Sequence, residues 1–329
     1  VKLAVFAYRT IGCACLEVLL EAQADVAGVV TTPDDPPPED LAADAPGGWF
    51  RSVAALARDR SLRLLTVEKC DAPESMASIR ALQADLFFLF DFPQHVGPEL
   101  LALPPKGAIN LYATRLPDFP GHDPALRAVL QGATETGVTL HDIAPATAGL
   151  IAQRTVPIGW TDSSHDVYAK QAAAAAELLR EQWPALRSGQ AARTPLPPST
   201  MAPSAPLQPE ECLIDWNRPA VELYNLIRAV TLPYPGAVAA FRGQRCRIWK
   251  SDVRPAPLTG RKPAPGRILK LVPFQIDTGD GMLRPRELEL EGEPPMSHEA
   301  FIARHHVTVG ESFTIGTLKL PVRPSGDNS

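Results

Sequence analysis

Long apolar runs are missing from this 329-residue sequence; the longest, such as Asp85 to Phe92, fall far short of the ~20 residues a membrane-spanning helix needs. No charged-then-apolar leader opens the chain, so a cytoplasmic protein is expected. A basic excess is missing too. The formal charge of -5 gives no global field to gather nucleic acid, and such a partner is not expected. Cysteine is sparse: Cys13, Cys15, Cys70, Cys212 and Cys246 are an odd set with no Cys-x-x-Cys spacing and no neighbouring His cluster, so free buried thiols are expected. His305 and His306 are adjacent, project differently and do not suggest a shared metal site. Glycine is missing where a dinucleotide fingerprint would need it. Arg9-Thr-Ile-Gly12 is followed by Cys13-Ala-Cys-Leu16, which lacks the later glycines that let a backbone approach a pyrophosphate, so no nicotinamide cofactor is expected. No internal repeat is present.

What is present is an ordinary globular composition, 45% apolar and 21% charged, in a chain longer than a usual single domain. Two unequal domains follow. The opening reads strand Lys2 to Tyr8, helix Ile11 to Leu20, strand Asp25 to Thr31. Helix Phe50 to Asp59, strand Leu62 to Thr66, helix Pro73 to Gln83 and strand Leu86 to Phe90 continue the alternation. The continuous apolar character of the last strand suits a sheet buried on both faces. The Pro-rich run Pro33 to Asp40 reads as a surface loop.

Ile151 to Ile158 reads as a strand and Asp166 to Leu186 as a long Ala-rich helix, with Asp162, Ser163 or Ser164 to cap it and Gly189 to stop it. Thr194 to Pro209 holds six prolines and reads as a stiff linker. Beyond it come Cys212 to Trp216, a helix over Ala220 to Val230, and short strands over Gly236 to Phe241, Arg245 to Trp249, Gly266 to Val272, Phe274 to Thr278 and Arg286 to Leu290. The expected fold is α/β: a Rossmann-like domain over residues 1–193 with a mostly parallel sheet, a linker over 194–209, a small OB-like β-barrel over 210–320 and a tail over 321–329.

The stretch from Gly107 to Gln153 carries the candidate chemistry. Ala-Ile-Asn-Leu-Tyr112 leads into Leu116-Pro-Asp-Phe-Pro-Gly121 and then Thr134-Glu-Thr-Gly-Val-Thr-Leu-His141. An amide at the end of a buried strand donates to an oxyanion without titrating; an imidazole donates or shuttles a proton; a carboxylate orients the imidazole or accepts the proton. These strings resemble the active-site region of the 10-formyltetrahydrofolate-dependent formyltransferases, which carry Asn-x-His before a Leu-Pro-x-Tyr-Arg-Gly loop. Asn110 matches, Tyr112 stands where the catalytic His belongs, and the catalytic Asp position falls on Ala146 or Thr147. Phe6-Ala-Tyr-Arg-Thr-Ile-Gly-Cys13 is similar to the start of the amino-sugar formyltransferases, and Asp280-Gly to Gly310-Glu-Ser-Phe313 to the barrel of the methionyl-tRNA formyltransferases.

The resemblance implies formyl transfer from 10-formyltetrahydrofolate to a small-molecule amine or amino sugar. Asn110 and Tyr112 are expected to polarise the transferred carbonyl, and the resemblance implies pterin contacts from the main chain around Phe88, Leu89, Phe90 and Asp91. It also implies a retained His141, and substrate contacts at Tyr8, Trp216, Tyr224 and Arg228. A tyrosine donates a hydrogen bond but, with an ordinary pKa near 10, does not readily accept a proton at pH 7. His122 with Asp123, in the loop Pro120-Gly-His-Asp-Pro124, is the expected replacement, and Asp142 a weaker one. Plainer roles stand beside these: a loop cap for His122 and Asp123, packing for His141, core burial for Trp216, Tyr224, Arg228 and the phenylalanines. With two positions of the resemblance substituted, a binding protein without turnover and a different acyl or one-carbon transfer remain alternatives.

Overall fold

A computed structural model describes residues 1–34, 50–143, 149–196, 201–255 and 262–316. Most of the Pro33 to Asp40 run, Ala146, Thr147 and the tail over 321–329 lie outside the described residues. The chain forms two compact units. One comprises Val1–Ala128, Ala133–Trp160 and His165–Ser204, the other Val129–Gly132, Thr161–Ser164 and the chain from Ala205 onward.

In the first unit, β1 (Lys2–Ala7), α1 (Arg9–Glu21) and β2 (Asp25–Thr31) open the alternation. They are followed by α2 (Val53–Asp59), β3 (Leu64–Thr66), α3 (Pro73–Arg80) and β4 (Leu86–Phe90). Next come α4 (Pro98–Leu101), β5 (Ala108–Tyr112), α5 (Pro124–Leu130), β6 (Glu135–Asp142) and β7 (Gly149–Pro157). The long helix α6 (Ser164–Ser188) and a two-residue strand β8 (Thr194–Pro195) end the series. The sheet order is β3-β2-β1-β4-β5-β6-β7-β8. Pairing is parallel from β3 to β5 and antiparallel from β5 to β8.

Every side chain of β4 is buried, and the pleat sends alternate ones to opposite faces. Phe87 and Leu89 pack with Phe6, Ile79, Leu82 and Leu100. On the other face Phe88 stacks on Phe90 at 5.2 Å and tilts against Trp183 of α6 at 6.2 Å. The unbroken Leu-Phe-Phe-Leu-Phe run is therefore the central strand between two helical layers. Several expected ends move by a few residues. Helix α3 stops at Arg80, short of Gln83, whose φ of 51° is left-handed, and β7 begins at Gly149. The first two residues of the expected linker form β8, an edge strand paired with β7.

The second unit holds α7 (Ala220–Val230), β9 (Ala237–Phe241), β10 (Gln244–Arg254), β11 (Ile268–Leu271), β12 (Phe274–Asp277) and β13 (Met282–Leu290). It ends with β14 (Met296–Ser297), α8 (His298–His305) and β15 (Phe313–Ile315). The antiparallel order is β11-β12-β13-β10-β9-β15, with β14 on β13. Strand β13 is longer than its sequence pattern because Pro285 is tolerated where the register of β10 shifts on both sides of Lys250. The sheet curls until its ends meet: the Phe313 amide donates to Gly266 at 2.9 Å, Ile268 to Glu311 at 2.7 Å and Gly310 to Ile268 at 2.9 Å. Inside, Phe313 packs on Phe241 at 4.8 Å and Trp216 at 5.7 Å. Among the described residues no helix is long and apolar enough to cross a membrane.

Gly266 is the tight point of that closure. Its φ is +83°, and a Cβ would lie 2.2 Å from the Phe313 carbonyl oxygen. Gly266→Ala is expected to cost about 1–3 kcal/mol or more, read as a lower denaturation midpoint.

Candidate active site

Strand order reverses between β1 and β4: the chain runs outward through β2 and β3, then returns to the other side of β1. In open α/β sheets, ligand groups gather outside the carboxyl ends of the strands at such a reversal. Here those ends deliver charged side chains. Tyr8 follows β1, and its amide donates to Phe90 at 3.1 Å. Arg9 opens α1 with φ of 51°, and Asp91 follows β4 with φ of 53°, both left-handed and costly for residues other than glycine. The Arg9 guanidinium lies 5.0 Å from the Tyr8 ring centroid. Its buried Nε has no hydrogen-bond partner among the described residues. Tyr168, from the second turn of α6, donates its hydroxyl hydrogen to Asp91 Oδ2 at 2.6 Å and accepts weakly from the Ile11 amide at 3.5 Å.

Asn110 and Tyr112 lie on the next strand. Leu89 pairs with Asn110 and Phe90 with Leu111, so Asp91 comes one step beyond the last pair, beside Tyr112. The Asn110 side-chain amide donates to His141 Nε2 at 3.2 Å, and His141 Nδ1 donates to the Asp142 carbonyl at 3.0 Å. Those two bonds select the neutral imidazole, and burial pushes the His141 pKa down in the same sense. The second amide hydrogen of Asn110 has no protein acceptor among the described residues.

Tyr112 is differently occupied. Its hydroxyl donates to the Gly121 carbonyl and accepts from the Gly121 amide at 2.7 Å, so the single hydroxyl hydrogen is committed to the loop. Burial pushes its pKa up, which keeps it protonated. Ser204 grips the same turn: its amide donates to Pro120 at 2.8 Å, the His122 amide donates to Ser204 at 3.0 Å, and Ser204 Oγ donates to the His122 carbonyl at 2.7 Å. Only glycine fits at 121, where a Cβ would meet the Ser204 nitrogen at 2.3 Å. Further back Thr139 Oγ donates to Thr114 at 2.7 Å, Gln153 to Leu116 at 2.6 Å and Gln171 to Ala113 at 2.7 Å. Thr139 and Gln153 thus give the Thr-Glu-Thr-Gly-Val-Thr-Leu-His string and its neighbour a concrete use.

The remaining candidates separate. His122 is exposed and Asp123 half-buried, the latter with φ of 50°. Asp142 is held in a two-pronged contact by Arg193, at 2.9 Å and 3.2 Å. The side chains of Phe88, Leu89 and Phe90 are core, and their main chain lies between the ladders to β1 and β5. Tyr8 is buried beneath Arg9. Trp216 is core in the second unit. Arg228, buried on α7, donates to Asn225 at 3.0 Å and to the Asp162 carbonyl at 2.8 Å, and lies 5.6 Å from the Tyr224 ring. Sequence reasoning missed Arg9, Tyr168 and Ser204. An arginine placed directly after the first strand was a usable signal; a tyrosine inside an Ala-rich helix was not.

An α/β unit with helices on both faces of its sheet and charged groups at its switch point, followed by a curled antiparallel sheet, is the architecture to be matched. The chain belongs to the formyl transferase family, whose N-terminal domain matches residues 3–182 and whose C-terminal domain matches residues 206–306. An N-formyltransferase from Helicobacter canadensis, solved with folinic acid and dTDP-3-aminofucose, is similar at 18% identity and TM-score 0.62, over 87% of this chain and 99% of that one. WlaRD, a sugar 3N-formyl transferase solved with dTDP and 5-N-formyl-THF, gives 16% and 0.64, over 89% and 99%. HypX from Aquifex aeolicus, solved with tetrahydrofolic acid, gives 14% and 0.58, over 94% of this chain and 48% of that one.

Burial pushes Asp91 up to about 6 against its hydrogen bond from Tyr168 and the charge of Arg9. A carboxyl raised from 3.8 to about 6 on folding binds its proton more tightly in the folded state, so its stabilising contribution is lost as pH rises through that window. Asp91→Asn is therefore expected to melt higher than the parent at about pH 8, with the difference vanishing on approach to about pH 4, read by thermal denaturation across pH.

Proposed function

We propose that this protein transfers a formyl group from 10-formyltetrahydrofolate to the amine of a small molecule, an amino sugar being the favoured acceptor class. The family and the folate-bearing, amino-sugar-bearing structures of similar fold support the reading. The observation that carries it is Asn110: one amide hydrogen is fixed by a neutral His141 and the other is left to donate. Attack on a formyl carbon puts negative charge on its oxygen, and a preorganised neutral donor stabilises that charge without titrating.

Residues suited to the folate follow β4. The amides of Phe92 and His95 have no protein acceptor among the described residues, and a free main-chain edge suits a flat heterocycle with alternating donors and acceptors. The main chain of Phe88, Leu89 and Phe90 serves the sheet, so the folate contacts in this reading begin at Asp91. When bound, the folate supplies the formyl carbon. The chain's own residues hold the geometry: His141 orients Asn110, and Tyr112 with Ser204 fixes the loop from Pro120 to His122 beside it.

Asn110→Ala is expected to lower kcat by about 10²–10³ with little change in affinity for a stable 10-formyltetrahydrofolate analogue. Single-turnover kinetics and calorimetry read the two separately. Unchanged kcat would remove Asn110 from the chemistry, and a parent protein that binds the analogue without ever forming tetrahydrofolate would favour a binding role.

A further inference from the structure

Formyl transfer to an amine needs a proton acceptor, because the amine arrives as ammonium and attacks only after losing a proton. Around Asn110 most titratable groups are already engaged. Both ring nitrogens of His141 are bonded, the Tyr112 hydroxyl is bonded twice to Gly121, and Asp142 is held by Arg193. His122 is exposed, with its main chain tied to Ser204.

Asp91 differs from all of these. Its Oδ2 accepts from Tyr168, and its Oδ1 has no protein partner among the described residues. It stands at the strand reversal, beyond the Phe90–Leu111 pair and therefore on the strand next to Asn110 and Tyr112. Arg9 and Cys15 face it from α1, Tyr112 from β5, Asp123 from the following loop and Tyr168 from α6. Of these Arg9 favours the carboxylate and Asp123 opposes it; the Cys15 thiol, Tyr112 and Tyr168 stay protonated. A carboxyl poised near neutrality by burial exchanges protons in both directions at working pH.

We infer that Asp91 is a catalytic residue: its carboxylate receives the ammonium group of the acceptor and takes its proton, with Tyr168 as the positioning residue. The inference rests on the formyl-transfer reading. The balance is complete. One ammonium proton passes to Asp91, the freed amine forms the new bond to the formyl carbon, and the bond from that carbon to the folate N10 breaks. A second amine proton ends on N10, and Asp91 releases its proton to water.

The test measures tetrahydrofolate formed from 10-formyltetrahydrofolate, with dTDP-3-aminofucose or a simple primary amine as acceptor, for Asp91→Asn, Tyr168→Phe and His122→Ala in the full chain. Asp91→Asn is expected to lose about 10²–10⁴ in kcat while retaining folate-analogue affinity by calorimetry and a cooperative melt. Tyr168→Phe should move the acid limb of the kcat profile to higher pH, because its hydrogen bond favours the carboxylate. His122→Ala tests the rival acceptor in the neighbouring loop, and loss of its kcat would give the role to His122. Parent-like kcat in Asp91→Asn, an unmoved limb in Tyr168→Phe, or a collapse in His122→Ala overturns the role of Asp91 while parental turnover keeps formyl transfer standing. A parent without turnover on any primary amine overturns both.

Discussion

Burial of β4 on both faces is the constraint from which the first unit follows. A strand of Leu-Phe-Phe-Leu-Phe satisfies its main chain only between two neighbours and its side chains only between two helical layers. β1 and β5 supply the ladders, and α6 closes one face through Trp183. Three strand ends are thereby held level, and the residues just past them are brought together although they lie far apart in sequence. Tyr8, Arg9, Asp91, Asn110 and Tyr112 meet for this reason.

The polar groups at that edge form two sets with different physics. Asn110, His141 and the Asp142 carbonyl form a chain of neutral hydrogen bonds, so that both ring nitrogens of His141 are satisfied and one amide hydrogen of Asn110 is left over. Arg9, Asp91 and Tyr168 form a charged set in which burial opposes both ions: for Arg9 the attraction of Asp91 and the neighbouring tyrosines outweighs it, whereas for Asp91 the charge of Arg9 and one 2.6 Å hydrogen bond offset only part of it. Left-handed backbone at Arg9 and Asp91 adds strain to the same place. Unfavourable contributions thus accumulate at the strand reversal while the rest of the unit packs conventionally, a pattern common at functional sites.

Tyr112 shows how a side chain at an expected catalytic position takes on a structural task. A phenol reaches further than an imidazole and offers one donor and one acceptor on a single atom, which matches the amide and carbonyl of one residue, Gly121. The loop is then fixed from below by Tyr112 and from the side by Ser204, a residue of the Pro-rich segment read in sequence as a plain linker. The proton-accepting task passes in our reading to the adjacent strand.

The order of the elements, the buried character of β4 and the barrel-forming second half were all legible in the sequence, because apolar periodicity and turn residues are local properties of the chain. Which side chains share an edge was not, because it depends on register between strands distant in sequence. Asp91 read as a main-chain contact for the pterin rather than as a carboxylate, Tyr168 as one aromatic in an Ala-rich helix and Arg9 as the remnant of a missing glycine motif. Only the tertiary structure brought them within hydrogen-bond and Coulomb reach, and only burial there separated Asp91 from the other carboxylates.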